Sequence, residues 1–272
     1  MLNNITMGQY YPVDSIVHRL DPRMKLVLTI AFIVAVFLAH SFPGYLVLSC
    51  FLFFVCRMSN VPFRLMLKGL RPLRFIIIFT FLLNLFFTPG DDVWLSFWVI
   101  RITREAFLQA LFYSLRLVFL VAGTSLLTLT TSPIALSDGI EMLLTPLKRI
   151  HFPAHELAMM MTIALRFIPT LLEETDKIMK AQMARGADFE SGNILVRAKA
   201  MVPLLVPLFV SAFRRAGDLA MAMESRCYHG GEGRTRLRVL KTSGNDWIAM
   251  LIVAGLILLI VLEGIFLKGV LF

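Results

Sequence analysis

Two arginines lie near the ends of segments with a helical pattern, and each stands between small residues. Arg185 occurs in the stretch AQMARGADF and Arg226 in AMESRCYHG. The two triplets are Ala184, Arg185, Gly186 and Ser225, Arg226, Cys227. A guanidinium forms forked hydrogen bonds with a carboxylate, and small neighbours let such a helix end enter a groove of a partner. The simpler reading is that each arginine complements a helix dipole and its free carbonyls, but two such ends in one chain favour docking.

Residues able to perform catalysis or bind a metal are sparse. The sequence contains no GxxxxGK[ST] loop for nucleotide phosphates and no HExxH zinc motif. His151 and His155 have helical spacing, but Pro153 between them argues against one continuous helix. The three cysteines form no CxxC pair. We therefore predict no catalytic residues, no cofactor and no metal site, and a chain that is not an enzyme.

The composition is that of a membrane protein. Hydrophobic residues make up 58% of the 272 residues, too many for a soluble domain that covers its core with charge. The net charge of +9 could suit nucleic acid, but in a membrane protein it marks cytoplasmic loops and contact with anionic headgroups. We predict an all-α integral membrane protein that contacts the lipid bilayer and no nucleic acid.

Five apolar runs predict about five transmembrane helices. The runs cover residues 24–41, 43–58, 73–88, 106–131 and 247–267. The first three are short for a hydrocarbon core that needs about 20 helical residues. The β-branched end of the loop DDVWLSFWVIRIT could form a short hairpin.

The charged loops predict one orientation. The loop 57–74 contains five basic and no acidic residues, whereas 89–105 contains three acidic residues beside two arginines. Because basic loops face the cytoplasm, the N-terminus and the segment 132–246 should be cytoplasmic.

The segment 132–246 combines many charges with apolar stretches too short or broken to read as spans. Amphipathic helices are expected after Pro169 and Pro207, leading to the two arginines. We therefore divide the chain into 1–131 with the first four spans, 132–246 lying on the membrane surface and in the cytoplasm, and 247–272 with the last span.

Two further groups of residues have a functional and a structural reading. A methionine-rich surface suggests either ordinary helix packing or a flexible platform for partners, and its residues are Met142, Leu143, Leu144, Met159, Met160 and Met161. Arg116, inside the fourth span, needs a polar partner, and Asn84 of the third span is a candidate. We favour a polar lock between these two residues over a transport pathway.

Three separated stretches carry a resemblance to a known family. The stretches are GQYYPVDSIVHRLDPRMKL, RFIPTLLEETDKIMKAQMARGADF and AMESRCYHGGEGRTRLR. Together they resemble the transmembrane (T) component of energy-coupling factor transporters, the vitamin and micronutrient importers of prokaryotes. The resemblance implies an L-shaped scaffold in the cell membrane, with coupling helices that end in Ala-Arg-Gly-type motifs. The motif around Arg185 is unchanged, whereas the second keeps Arg226 but not its neighbours.

The resemblance also implies partners. The two arginines would dock on a homologous pair of cytoplasmic ATPase subunits, and a separate membrane subunit would bind the substrate. A self-contained secondary transporter or channel is the main alternative, and it would need paired broken helices around charges within the membrane. A membrane-embedded enzyme would need clustered acidic residues or histidines at the interface.

Overall fold

A computed structural model describes residues 10–89, 93–97, 100–150, 152–187, 189, 193–230, 240 and 242–267. The chain forms two compact units, which are treated separately below. One unit contains Gly8–Gly139 and Leu240–Phe272, and the other contains Met1–Met7 and Ile140–Val239.

The larger unit is a helical bundle with one β-hairpin, which confirms an all-α membrane protein as the fold class. Its elements are α1 (Ile16–Arg19), α2 (Pro22–Leu38), α3 (Phe42–Met58), α4 (Phe63–Leu70), α5 (Arg74–Phe87), β1 (Val93–Phe97), β2 (Ile100–Thr103), α6 (Arg104–Thr130), α7 (Pro133–Leu144), whose last residues enter the second unit, and the final helix Gly244–Leu267. The second unit contains a short 3-10 helix (Thr145–Ile150), α8 (Ala154–Ala184) and α9 (Ile194–Glu224). The final helix of the larger unit, Gly244–Leu267, is therefore numbered α10.

The predicted spans coincide with α2, α3, α5, α6 and α10, but not all of them are long enough to cross a membrane alone. Among the described residues, α6, α8 and α10 are sufficiently long and apolar, and α4 with α5 makes a fourth span if this pair, bent by 61°, counts as one. The helices α2 and α3 have 17 residues each, as the short apolar runs led us to expect. The predicted hairpin in the loop before α6 is confirmed, because β1 and β2 pair antiparallel.

The prolines of the second unit lie inside the helices rather than before them. We expected helices to begin after Pro169 and Pro207, but α8 continues through Pro169 and α9 through Pro203 and Pro207. A proline removes one backbone hydrogen bond, and the flanking turns sustain the helix despite that loss. This continuity is why α8 reaches 31 residues and is long and apolar enough to cross a membrane, which its apolar stretch alone does not predict.

The core of the larger unit lies where α2, α3, α6 and α10 meet. Val36, Leu48 and Ile260 are almost completely buried. Tyr45 of α3 stacks on Phe119 of α6 with ring centroids 5.9 Å apart. Because lipid tails are as apolar as these side chains, close van der Waals packing between the helices stabilises this core.

The first and last membrane helices begin beside each other. The buried carboxylate of Asp246, in the first turn of α10, accepts a hydrogen bond of 2.9 Å from the backbone N–H of Asp21. Asp21 in turn caps α2 by accepting from the N–H of Arg23. Burial alone would raise the pKa of the Asp21 carboxyl, but hydrogen bonds from Arg23 outweigh burial and hold it below its usual value.

The helix α6 ends on the side of the bundle where α2 and α10 begin. The ammonium group of Lys25, near the start of α2, donates to the carbonyl of Thr130, the last residue of α6, at 2.9 Å. On the opposite side of the bundle, Ser41 before α3 donates a hydrogen bond to Glu263 near the end of α10. These contacts put the start of α2, the end of α6 and the start of α10 on one side of the bundle, as an alternating membrane topology requires.

Candidate partner-docking site

The first arginine closes α8 with a regular hydrogen-bonded turn. Arg185 is the C-cap, and Gly186 follows in the left-handed region with φ of +89°. The N–H of Gly186 donates to the carbonyl of Met183 at 2.9 Å, and the N–H of Ala187 donates to Gln182 at 3.0 Å. This pair of bonds is the Schellman motif, which satisfies the free carbonyls of a helix end.

The second arginine closes α9 in the same way although its neighbours differ. Cys227 follows Arg226 in the left-handed region with φ of +54°. The N–H of Cys227 donates to Glu224 at 2.8 Å, and the N–H of Tyr228 donates to Met223 at 3.1 Å. Ser-Arg-Cys therefore adopts the backbone of Ala-Arg-Gly, with a cysteine at the position that usually needs glycine.

Both helix ends are exposed on this chain. All six residues of the two triplets, Ala184 to Gly186 and Ser225 to Cys227, are solvent-exposed. In the described part of the chain, no ion pair involves the guanidinium of Arg185 or Arg226. Each arginine therefore projects beyond a capped helix end with its hydrogen-bond donors available to a partner.

An ion pair joins the two helices between these ends. The guanidinium of Arg215 on α9 lies 2.8 Å from the carboxylate of Glu174 on α8. Glu174 lies eleven residues before Arg185, and Arg215 lies eleven residues before Arg226. At 1.5 Å per residue, each arm from the ion pair to its arginine is about 16 Å long.

The two arms point in opposite directions. The ring of His155, at the start of α8, lies 3.3 Å from the hydroxyl of Tyr228, just beyond the end of α9. Since α8 begins where α9 ends and the ion pair lies between their ends, the helices run antiparallel within this unit. The arginines therefore lie at opposite ends of the helix pair.

The methionine-rich residues lie on α7 and α8, which a short 3-10 helix connects. Met142, Leu143 and Leu144 end α7, and Met159, Met160 and Met161 follow in the second turn of α8. Leu143, Met160 and Met161 are exposed by 38%, 55% and 42%.

A contact that the sequence analysis missed lies beside these residues. The carboxylate of Glu141 is 2.9 Å from Nδ1 of His155. We considered His155 only with His151, which lies outside the described residues. The pairing with an acidic residue fourteen positions earlier has no local sequence signal, because it depends on how α7 and α8 meet.

The two residues of the predicted polar lock have separate hydrogen-bond partners. Arg116 donates to the carbonyl of Ala39 at the C-cap of α2, at 3.3 Å, and Asn84 donates to Thr80 in its own helix, at 2.8 Å. The Arg116 guanidinium also lies 5.5 Å from the ring centroid of Phe37. Arg116 thus connects α6 to the C-terminal end of α2, where the helix dipole favours a positive charge.

Comparisons with known proteins agree with these features. Residues 14–237 match the family described as "Cobalt transport protein" (CbiQ). A protein of Thermosediminibacter oceani, named energy-coupling factor transporter transmembrane protein EcfT, is 58% identical over 94% of this chain and 96% of its own length. Proteins of the same name from Clostridium kluyveri and Bacillus subtilis are 54% and 50% identical, over 97% and 94% of this chain and 98% of each relative.

These matches extend along almost the whole chain and include both arginine-bearing helix ends. The relatives are bacterial, and the apolar helices agree with a prokaryotic membrane protein. The chain belongs to the family of energy-coupling factor transporter transmembrane proteins, the T components of these transporters.

Proposed function

We propose that this chain couples ATP hydrolysis by two cytoplasmic ATPase subunits to substrate uptake through a separate membrane subunit. One observation carries the proposal. Two exposed arginines cap α8 and α9 with the same backbone geometry, each eleven residues along its helix from the ion pair that joins the helices.

This arrangement suits a pair of similar partners. Glu174 and Arg215 occupy equivalent positions relative to Arg185 and Arg226. The ion pair therefore lies near a local two-fold axis that relates the two helices. A homologous pair of ATPases would meet the same chemistry at each end. Each arginine would form a forked, charge-assisted hydrogen bond with a carboxylate in a groove of its ATPase.

ATP hydrolysis is assigned to the partners. The sequence of this chain has no phosphate-binding loop of the GxxxxGK[ST] type. Closing and opening of the two ATPases would displace the helix ends, and α8 and α9 would act as levers. The second unit and the N-terminus would face the cytoplasm, in agreement with the basic loops.

The substrate-binding subunit would contact the methionine-rich platform, which we define as Met142, Leu143, Leu144, Met159, Met160 and Met161. Unbranched methionine side chains adapt to partners of different shape, which suits a scaffold that passes motion to another membrane subunit. The transported compounds would be vitamins or other micronutrients, and the substrate-binding subunit would select among them.

The proposal is tested by purifying the chain from its native source in mild detergent and identifying the subunits that accompany it. We expect ATPase subunits and a small membrane protein in fixed proportion. Arg185→Ala and Arg226→Ala should each reduce the ATPase content, since truncating one side of a buried charge pair costs about 2–5 kcal/mol. Lysine at either position keeps the charge but loses the fork, so it should restore assembly only in part.

Two results would contradict the proposal. Normal ATPase content and uptake in the Arg185→Ala, Arg226→Ala double variant would leave the arginines as simple helix caps. Uptake by the purified chain alone in liposomes would favour the alternative, a self-contained transporter or channel.

A further inference from the structure

A chain of three hydrogen-bonded side chains begins two residues beyond Arg226. The hydroxyl of Tyr228 lies 3.3 Å from Nε2 of His155, and Nδ1 of the same ring lies 2.9 Å from Oε1 of Glu141. An ionised carboxylate only accepts, so Nδ1 donates to Glu141, and Nε2 of the neutral ring accepts from the tyrosine hydroxyl. Both ring nitrogens are therefore engaged.

These three residues belong to three different parts of the unit. Glu141 lies on α7, His155 in the first turn of α8, and Tyr228 directly after the turn that closes α9. Glu141 directly precedes Met142, and His155 lies one helical turn before Met159. The end of α9 that bears Arg226, which we call the second docking end, is thereby connected to both halves of the platform.

The connection is partly sheltered from water. Glu141 is only 9% exposed, and His155 and Tyr228 are half-buried. Hydrogen bonds in a network with little water hold their geometry more firmly than exposed ones. The two hydrogen bonds thus link the residue after the end of α9 to side chains of α7 and α8.

Among the described residues, the end of α8 that bears Arg185, the first docking end, has no equivalent side chain at the matching position. Ala187 occupies the position relative to Arg185 that Tyr228 occupies relative to Arg226. Its methyl group has no hydrogen-bonding capacity. The two ends thus have the same backbone turn, but only the second can be joined to the platform by a side chain at this position.

We infer that Tyr228, His155 and Glu141 are positioning residues that transmit movement of the second docking end to the methionine-rich platform. The inference rests on the proposed function, in which an ATPase displaces Arg226. Because Tyr228 is tied to the start of α8, the end of α9 moves together with α7 and α8. The two docking ends consequently have unequal roles: the second drives the platform directly, and the first acts through the length of α8.

The test uses Tyr228→Phe, which removes one hydroxyl and keeps the ring. The complex of this chain with the subunits that co-purify from the native source is placed in liposomes, and substrate uptake per ATP hydrolysed is measured. We expect normal assembly and continued ATP hydrolysis, with uptake per ATP reduced about fivefold, the factor that corresponds to one lost hydrogen bond. His229→Gln, at the exposed neighbouring residue, is the matched control and should change neither quantity.

A second variant tests the connection itself. In His155→Asn the amide nitrogen can still donate to Glu141, but nothing replaces Nε2 opposite Tyr228. This variant should show the same reduction as Tyr228→Phe, and the double variant should be no worse than either single one. Additive defects in the double variant would overturn the inference.

The outcomes separate this inference from the proposed function. Unchanged uptake per ATP in an intact Tyr228→Phe complex would overturn the inference and leave the function standing. Loss of the ATPases in that variant would also overturn it, because Tyr228 would then belong to the docking surface. Absence of ATPases from the wild-type complex would instead contradict the proposed function.

Discussion

Glu174 and Arg215 bind each other from equivalent positions of two antiparallel helices, each eleven residues before the arginine that closes its helix. A residue that contacts its own counterpart lies on the axis relating the two copies, as in symmetric dimers. The pair α8 and α9 is thus organised around this contact, and the two docking ends extend from it to opposite sides.

The first prediction concerns the charge order of this pair. Glu174→Arg should slightly destabilise the helix pair, because two arginines then face each other at side chains that remain 23% and 39% exposed and are screened by water. The swapped variant with Glu174→Arg and Arg215→Glu should recover most of the loss in thermal unfolding and in uptake. Reversing Asp176 and Lys180, a pair within α8 alone, is the control and should have little effect. If the swapped variant recovered neither thermal stability nor uptake, the Glu174–Arg215 contact would not organise the helix pair.

The second prediction concerns the left-handed residue at each docking end. Gly186→Ala should destabilise the end of α8 by about 1 kcal/mol, because a Cβ is disfavoured at φ of +89°. Cys227→Gly should stabilise the end of α9 by a similar or smaller amount, because it removes the Cβ from a residue in the left-handed region. Thermal unfolding of the two variants in one detergent measures both effects. If both variants raised, or both lowered, the melting temperature, the shared turn geometry would be contradicted.

The third prediction concerns the packing of α2 against α6. A Cβ added to Gly123 of α6 would overlap the ring of Phe32 in the core. Gly123→Ala should therefore destabilise the bundle by about 1–3 kcal/mol. Gly255→Ala is the matched control, since a Cβ on this residue of α10 meets no atom within 4 Å. Similar melting temperatures for both variants would mean that α2 and α6 separate easily.

The fourth prediction concerns the platform. Met160 is 55% exposed, and Met160→Glu should weaken association of the substrate-binding subunit about tenfold or more, because a charge would be buried at an apolar interface. Met160→Leu, which preserves size and polarity, should be nearly neutral. Subunit content after affinity purification provides the measurement. Loss of the ATPases instead would place this surface at the cytoplasmic interface.

The fifth prediction concerns orientation. Cys227 is exposed beside the second docking end, and in right-side-out vesicles an impermeant thiol reagent should fail to label it. A cysteine introduced at Asp92, in a variant without the native cysteines, should react from outside. The reverse labelling pattern would put the docking ends on the wrong side for cytoplasmic ATPases.

Local sequence patterns identified the helices and the ends of α8 and α9, but not how those helices meet. Apolar runs and charge asymmetry predicted the membrane helices, since both depend on residues close together in the chain. Arg185 and Arg226 stood out by their small neighbours, and the resemblance gave them a role. The prolines misled us about where α8 and α9 begin, because surrounding turns outweighed the cost of a missing hydrogen bond.

The sequence by itself determined that this is a helical membrane protein with two arginine-bearing helix ends and without a nucleotide-binding loop of its own. Only the tertiary structure decided that Ser-Arg-Cys adopts the turn of Ala-Arg-Gly, that Glu174 meets Arg215, and that Tyr228 reaches His155. These contacts join residues 41 and 73 positions apart, or depend on a backbone conformation that cysteine rarely adopts. Their partners are selected by the packing of whole helices against one another, and nearest-neighbour preferences in the chain do not encode that packing.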